Sequence, residues 1–482
     1  MNPENKNAKI YGAGGSNGAA IARALVQEGI SIPQLRAALN GRVVAPDDAG
    51  YDQARTVFIG GIDRRPAVIA RPADAAGVSL VVSLARESGL ELAVRSGGHS
   101  GAGHSVSEGG IVLDLSDMRA LDIDVERRTA WAEAGLTAGE YTAAAGTYGL
   151  ATGFGDTGSV GISGITLGGG IGYLVRKHGL TIDNLLAAEI VTADGTLLQV
   201  DAESNSDLFW ALRGGGGNFG VVTRLKYRLH PLASVVGGIL VLPATAATVA
   251  GFIAAAEAAP EELSTIANVM PAPPMPFLPE AVQGQLVILA MMVYAGDPAT
   301  GEAVYAPFRA LATPHADLIR EMAYPEMFPP EDESYHPKVV GHTLFLDRVD
   351  LPVAATIMDH LNASEAPFRF AQLRVLGGAM ARVPVDATAF AHRASRILAV
   401  VGAFYETSEE KQRREAWLAE FLAAIRQGDQ GAYVNFVNDE GEARVRAAYP
   451  GASWDRLAAV KAAYDPTNLF RRNQNIPPAT GA

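Results

Sequence analysis

"RSGGHSGAGHS", residues 95–105, packs four glycines, three serines, two histidines and an arginine into eleven positions. Glycine loses more chain entropy on folding than any other residue, so such a cluster suits backbone that must approach something closely. Three more glycine-rich stretches follow before residue 224: "GFGDTGSVGISG", "LGGGIGYLVRKHG" and "LRGGGGNFGVV". Exposed N–H groups in such nests bind anions without lysine, and a long ligand with a pyrophosphate would use several of them. The plainer alternative is that all four are turns. A metal site on His99 and His104 is not expected, because the loop offers no third strong ligand and the chain has no HExxH pattern.

A chain of 482 residues predicts two or three domains. Apolar residues at 48% and charged residues at 19% describe a globular, slightly charge-poor protein. The 52 acidic against 39 basic residues give a net charge of -13, which disfavours nucleic acid and anionic membrane and points to a small-molecule partner. With no cysteine there is no disulfide, thiolate metal site or cysteine nucleophile. "MNPENKNAKI" carries no visible export signal, so the expected compartment is the cytoplasm. From Leu232 to Ala256 the chain is uncharged, but Gly237, Gly238 and Pro243 interrupt it, which reads as a buried strand and then a soluble helix. Near the start, "KIYGAGGSNGAAIARAL" imitates a dinucleotide-binding turn, yet position 17 is Asn17 where a glycine is needed; a helix capped by Ser16 or Asn17 is the simpler reading. Neither a GxSxG elbow nor a Lys-Ser/Thr P-loop is present.

The organisation is α+β. Between about 60 and 232, short strands alternate with glycine turns: "AVIARP", a helix over 73–87, "ELAVRSGG", "GIVLDLS", "ALDIDVERRTAWAEAG", a helix in "TAGEYTAAAGTYG", and "AAEIVTADGTLLQV". From 237 to 430 longer units appear: "GQLVILAMMVYAG", "VVGHTLFLDRV", "FRFAQLRVLGG" and "RILAVVGAFYET", with helices around 301–312, 353–361 and 409–427. These predict one large antiparallel sheet covered by helices on one face. The proline-rich "MPAPPMPFLPE" at 270–280 reads as a loop or lid over that sheet. The segment 431–482, dense in Asn, Tyr and Pro, is expected to pack rather than hang free.

Taken in order, "AVRSGGHS", "GGIVLDLSDM", "LGGGIGYLVRKHGL", "DNLLAAEIVTADG", "LFWALRGGGGNFGVVT" and "YDPTNLFRRNQNI" resemble the berberine bridge enzyme-like FAD-linked oxidases of the vanillyl-alcohol oxidase superfamily. The resemblance covers about 66–231 and 431–478. It implies a two-subdomain FAD-binding domain (1–236), a substrate-binding domain (237–430) and a C-terminal segment (431–482) returning to the first. It further implies FAD joined covalently to His99, with Arg95, Ser96, Gly97, Gly98 and Ser100 lining the pyrophosphate; imidazole suits attachment because it is a nucleophile largely neutral near pH 7. Some relatives add a second link through cysteine where this chain has "TGSVG", 157–161, so the link here is single at most. Val160 falls where the family gates oxygen, and its modest size goes with reoxidation by O2.

Further flavin contacts implied are Gly153, Thr157, Gly158, Ser159, Gly161, Gly164, Gly170 and Gly172, the backbone of Ile190 and Val191 around the adenosine, and Asn473 and Asn475 near the ring. His178 and Asn184 would lie behind these. For catalysis the resemblance points to Tyr433 as base, with Asn435 beside it. On "ILAVVGAFYET", where relatives place a glutamate or glutamine, Val400, Val401 and Ala403 are apolar and Tyr405 is the polar alternative, though strand alternation can turn it away. His392 reads as a loop residue. The implied activity is hydride transfer from an alcohol or amine carbon to flavin N5, with O2 giving H2O2. A dehydrogenase with another acceptor, or a flavin-binding protein without turnover, stays open, as do the substrate and the oligomeric state.

Overall fold

The computed structural model describes residues 31–332 and 334–480; the N-terminal glycine stretch lies outside them. Strands β1 (Gly41–Val44), β2 (Val68–Pro72), β3 (Leu92–Arg95) and β4 (Ile111–Asp114) form a sheet in the order β1-β2-β4-β3, parallel except for β1. The connection from β2 to β3 is the helix Ala75–Ser88. Asp74 caps its start by accepting from the Gly77 amide, and Gly89 ends it in the left-handed conformation at φ 70°. Val78, Val81, Val82, Leu84 and Ala85 of this helix are buried against Ile111 and Leu113 on one side and Val191 and Val221 on the other.

Those last two residues belong to a second, antiparallel sheet. It contains β5 (Leu121–Asp124), β6 (Thr129–Glu133), β8 (Leu185–Val191), β9 (Leu197–Asp201) and β10 (Val221–Arg228), ordered β5-β6-β10-β8-β9. The short β7 (Leu150–Ala151) and β11 (His230–Pro231) pair beside it. The C-terminal segment closes this half: Ala432, Val434, Val437, Tyr449, Leu457 and Ile476 share a core with Leu136, Phe154, Leu208 and Leu225.

The other half is one antiparallel sheet. Its strands are β12 (Val235–Pro243), β13 (Leu263–Pro271), β14 (Leu286–Tyr294), β15 (Ala316–Asp317), β16 (Arg320–Met322), β17 (Val339–Leu346), β18 (Arg369–Val375) and β19 (Ile397–Phe404). The order is β15-β12-β14-β13-β18-β19-β17, with β16 also on β12. The helices Ala246–Ala258, Leu351–Ala363 and Ser408–Ile425 bury Phe252, Ile357 and Phe421 against one face, where Leu373, Ala399 and Val401 point. Each helix starts on a side-chain cap, from Thr245, Asp350 and Thr407 respectively. The uncharged 232–256 stretch is indeed a strand and then a helix, and no helix among the described residues is long and apolar enough to cross a membrane.

Two expectations need adjustment. The boundary after residue 236 falls inside β12, whose pairing already starts at Val235 opposite Met322. The proline-rich loop does lie on the open face of the sheet, but Leu278 and Val282 pack on Val241, Val287 and Leu289 rather than closing over the cavity described next.

Candidate active site

A cavity of about 580 Å³ runs from the first half, past the glycine-rich loops, to the open face of the large sheet. Ser96, Gly97, Gly98, His99, Ser100, Thr157, Val160, Gly161 and Gly164 line it, joined by Gly216, Gly217 and Asn218 from the fourth glycine stretch. The glycines have a steric reason. A Cβ on Gly97 would collide with the Gly161 amide, and one on Gly161 with Ser96, so the two loops touch backbone to backbone. At Gly164 and Gly217 a Cβ would meet nothing within 4 Å, so there the bare backbone faces open space.

The wall is fitted for a polar ligand. Both ring nitrogens of His104, Ser105 Oγ and Asn473 Oδ1 are buried without a hydrogen-bond partner, and all three residues line the cavity. Buried polar groups are almost always paired, so such orphans mark where a ligand supplies partners. Burial also pushes His104 down to about 4, which keeps the ring neutral. An elongated ligand with apolar and anionic parts, as FAD is, suits this combination of bare glycine backbone and unpaired polar atoms.

His99 is half-buried. Its ring stacks on Phe58 at 4.2 Å between centroids, and its Nε2 lies 3.0 Å from Ser159 Oγ. Burial holds it down to about 4, opposed by the Glu331 carboxylate, so the imidazole is neutral and nucleophilic at neutral pH. Ser159 is gripped by Glu331, which accepts from its amide at 3.0 Å and from its hydroxyl at 2.5 Å.

At the other end stands Tyr433. Its oxygen accepts from the amides of Gly170 (3.0 Å) and Ile171 (3.3 Å) and from Asn435 Nδ2 (2.9 Å). Asn435 also donates to the Ile165 carbonyl at 2.9 Å, which fixes its orientation. Desolvation raises the phenol pKa above 10; the three N–H donors and the nearby Arg374 pull the other way. Facing Tyr433, the sheet contributes Phe370, Gln372 and Arg374 from alternate positions of β18, together with Val400 from β19. Arg374 is 5% exposed at its side chain and held by Asp156 (3.0 Å) and Gln372 (2.8 Å), and Gln372 in turn donates to Asn268 at 2.8 Å.

Several expected contacts lie elsewhere. Arg95 points away from the cavity into a buried ion pair with Asp114 at 2.8 Å, which also accepts from Arg71 at 2.7 Å. Ile190 and Val191 sit in β8 between β9 and β10, so their backbone is committed to the sheet; Gly220, Val221 and Val222 line the cavity in their stead. Gly153, Gly170 and Gly172 lie behind the wall, packed against Leu174, Thr181 and Phe154, although the Gly170 amide holds Tyr433. Gly158 faces Glu331 and Phe328, Ser159 reaches the site only through His99, and Asn475 is not on the wall. Tyr405 is on the wrong face: with Val401 and Ala403 alternating toward the helices, it packs against that core and its hydroxyl meets Gly61. His178, Asn184 and His392 do not line the cavity; His392 bonds the Ala448 carbonyl at 3.0 Å.

The sequence reading missed Gln372 and Arg374, although polar residues at alternate positions of "FRFAQLRV" were a usable signal. Phe58, Asp156 and Glu331 carried none, since each acts through tertiary contact alone. Among the described residues no group of three or more His, Asp or Glu side chains is arranged to hold a metal.

A model of the FAD binding domain matches residues 66–201, and one described as berberine and berberine like matches 432–477. An FAD-linked oxidoreductase of Bacillus subtilis, YvdP, is 32% identical over 92% of this chain and 99% of its own. The (R)-6-hydroxynicotine oxidase of Paenarthrobacter nicotinovorans is 30% identical over 91% of this chain and 97% of its own. Among solved structures, 6-hydroxy-D-nicotine oxidase from Arthrobacter nicotinovorans superposes with a TM-score of 0.81 at 27% identity, over 92% of this chain and 98% of that one. The xylooligosaccharide oxidase of Myceliophthora thermophila shares the fold, with a TM-score of 0.81 at 24% identity, over 93% of this chain and 99% of that one.

Proposed function

The chain belongs to the berberine-like FAD-linked oxidoreductases, and from that premise we propose an oxidase that takes hydride from an alcohol or amine carbon, with FAD held covalently by His99 and O2 as reoxidant. Bound FAD supplies the two-electron acceptor, its N5 atom. The protein's part is to hold one carbon still, keep its heteroatom correctly protonated and exclude water. The observation that carries the reading is Tyr433. Three N–H groups donate to its oxygen on the cavity wall, and no acceptor among the described residues takes its hydrogen, so a substrate hydroxyl or amine can serve as that partner. The same three donors stabilise phenolate, so the group can accept the proton an alcohol must lose.

Opposite, Phe370 and Val400 give an apolar floor, while the Gln372–Arg374 pair offers polar contacts at its edge. Val160 lies on the wall between the glycine loops, and its modest size supports the choice of O2 as reoxidant. One relative, an (R)-6-hydroxynicotine oxidase, carries a name that supports an amine-bearing organic molecule as one substrate to try. The test is a panel of amines and alcohols given to the yellow protein. A substrate should bleach the flavin without air, and readmitted air should restore the colour with one peroxide per turnover. Bleaching that air does not reverse would mean a dehydrogenase; a flavin that no member of a broad panel bleaches would count against an enzyme of this class.

A further inference from the structure

The grip of Glu331 on Ser159 assigns the hydrogens around His99. A carboxylate carries none, so the Ser159 hydroxyl gives its single hydrogen to Glu331 across 2.5 Å. Its oxygen then offers His99 only lone pairs, and the 3.0 Å contact with Nε2 must be an N–H donated by the imidazole. A neutral ring has one hydrogen, so the other nitrogen, Nδ1, keeps its lone pair. The ring cannot easily turn to exchange the two, because Phe58 stacks on it with 19° between the planes. Glu331 reaches His99 from the other half of the molecule, on the segment between Phe328 and β17. That segment is fastened to the turn beside His99, with the Gly60 amide donating to the Pro337 carbonyl at 3.0 Å and Tyr335 lying edge-on to Phe58 at 6.4 Å, while the Phe58 amide donates to the Gly98 carbonyl at 3.2 Å.

We propose that Glu331, acting through Ser159, fixes the tautomer of His99 and receives the proton that His99 releases when it is joined to the flavin. This rests on the reading of His99 as the attachment residue. The bond formed runs from Nδ1 to the flavin 8α carbon; the bonds broken are one C–H of that methyl group and the Nε2–H of His99. The electron pair of the C–H bond stays on the flavin, and O2 removes it. The two protons, one from carbon and one relayed from Nε2 through Ser159 to Glu331, complete the hydrogen peroxide. Glu331 is therefore a positioning residue whose loop makes attachment depend on the docking of the substrate half.

Full-length protein made in riboflavin-starved cells and supplied with FAD permits the test, the readout being flavin that survives acid precipitation over time. Glu331→Gln and Ser159→Ala should each slow attachment at least tenfold, while FAD affinity measured in a His99→Ala background changes less than twofold with or without Glu331→Gln. Acetate should restore the rate in Glu331→Ala, which a purely structural defect would not allow. Attachment at the wild-type rate in Glu331→Gln, or a slow Glu331→Ala that acetate does not help, overturns the relay while leaving His99 attachment standing. Wild-type protein that holds FAD without a covalent bond overturns both.

Discussion

The oxygen of Tyr433 is surrounded by the Gly170 and Ile171 amides and by Asn435, yet it lies in a buried place that favours the neutral phenol. Those opposing influences give the residue a distinct pH signature. Burial wins, so the phenol is protonated at neutral pH, and only the deprotonated fraction can accept a proton from an alcohol. Turnover of an alcohol substrate should therefore climb as pH rises from neutrality toward 10, without a plateau in that range. Tyr433→Phe should lower alcohol turnover by about 10²- to 10⁴-fold, the usual worth of a positioned acid or base, with the flavin spectrum unchanged. An amine already neutral needs no such base, and its oxidation should fall much less. Stopped-flow reduction of the flavin, read across pH for both variants, checks each statement; a flat profile for the wild type with an alcohol would contradict the role.

The closing element of the molecule is the helix Ala452–Tyr464, and one ammonium on it ties several segments to the cavity wall. Lys461, fully buried, donates to the Asn218 carbonyl (2.7 Å), the Phe470 carbonyl (3.0 Å) and Asp465 (2.6 Å). Asn218 lies on the wall and also receives the Ile476 amide at 2.9 Å, so one charge pins helix, tail and glycine loop together. Removing one partner of a buried pair strands the other, and Lys461→Met should cost about 3–5 kcal/mol. The Asp465 carboxylate would keep its bonds from the Leu469 and Phe470 amides, which places the expectation at the lower end of that range. Thermal unfolding with and without FAD is the check: a fall in Tm, and weaker flavin retention in His99→Ala, are expected. Much at this scale was legible in the sequence. Alternating runs such as "ILAVVGAF" and glycine-bounded helices stand where periodicity and capping place them. What could not be read was direction across tertiary space. Arg95 turned to Asp114, and Ile190 and Val191 became interior sheet residues, because each of these outcomes depends on a neighbour distant in the chain. The turning of Tyr405 away from the cavity follows instead the strand alternation that the sequence already offered.

Across the whole molecule, several imidazoles are buried neutral and make the fold sensitive to acid. His178 and His230 stack at 3.8 Å; burial, helped by the positive charge of His230 and Lys177 on the first and of Arg228 and Lys177 on the second, lowers them to about 3 and about 4 from the ordinary 6.5. The unfolded chain therefore binds more protons than the folded one below 6.5, so stability is complete above that pH and is lost as pH falls toward 4 and 3. Tm should be level above about pH 7 and drop steadily in acid, and His230→Gln should make the slope shallower by about one proton. The same assembly of two halves around one cavity is what the account asks to hold FAD on His99. The most direct test is acid precipitation of the purified protein, with a spectrum of the pellet and peptide mass mapping across residues 95–105. A yellow pellet whose His99-bearing peptide carries the flavin is the predicted result; a colourless pellet with all flavin released to the supernatant would contradict the claim.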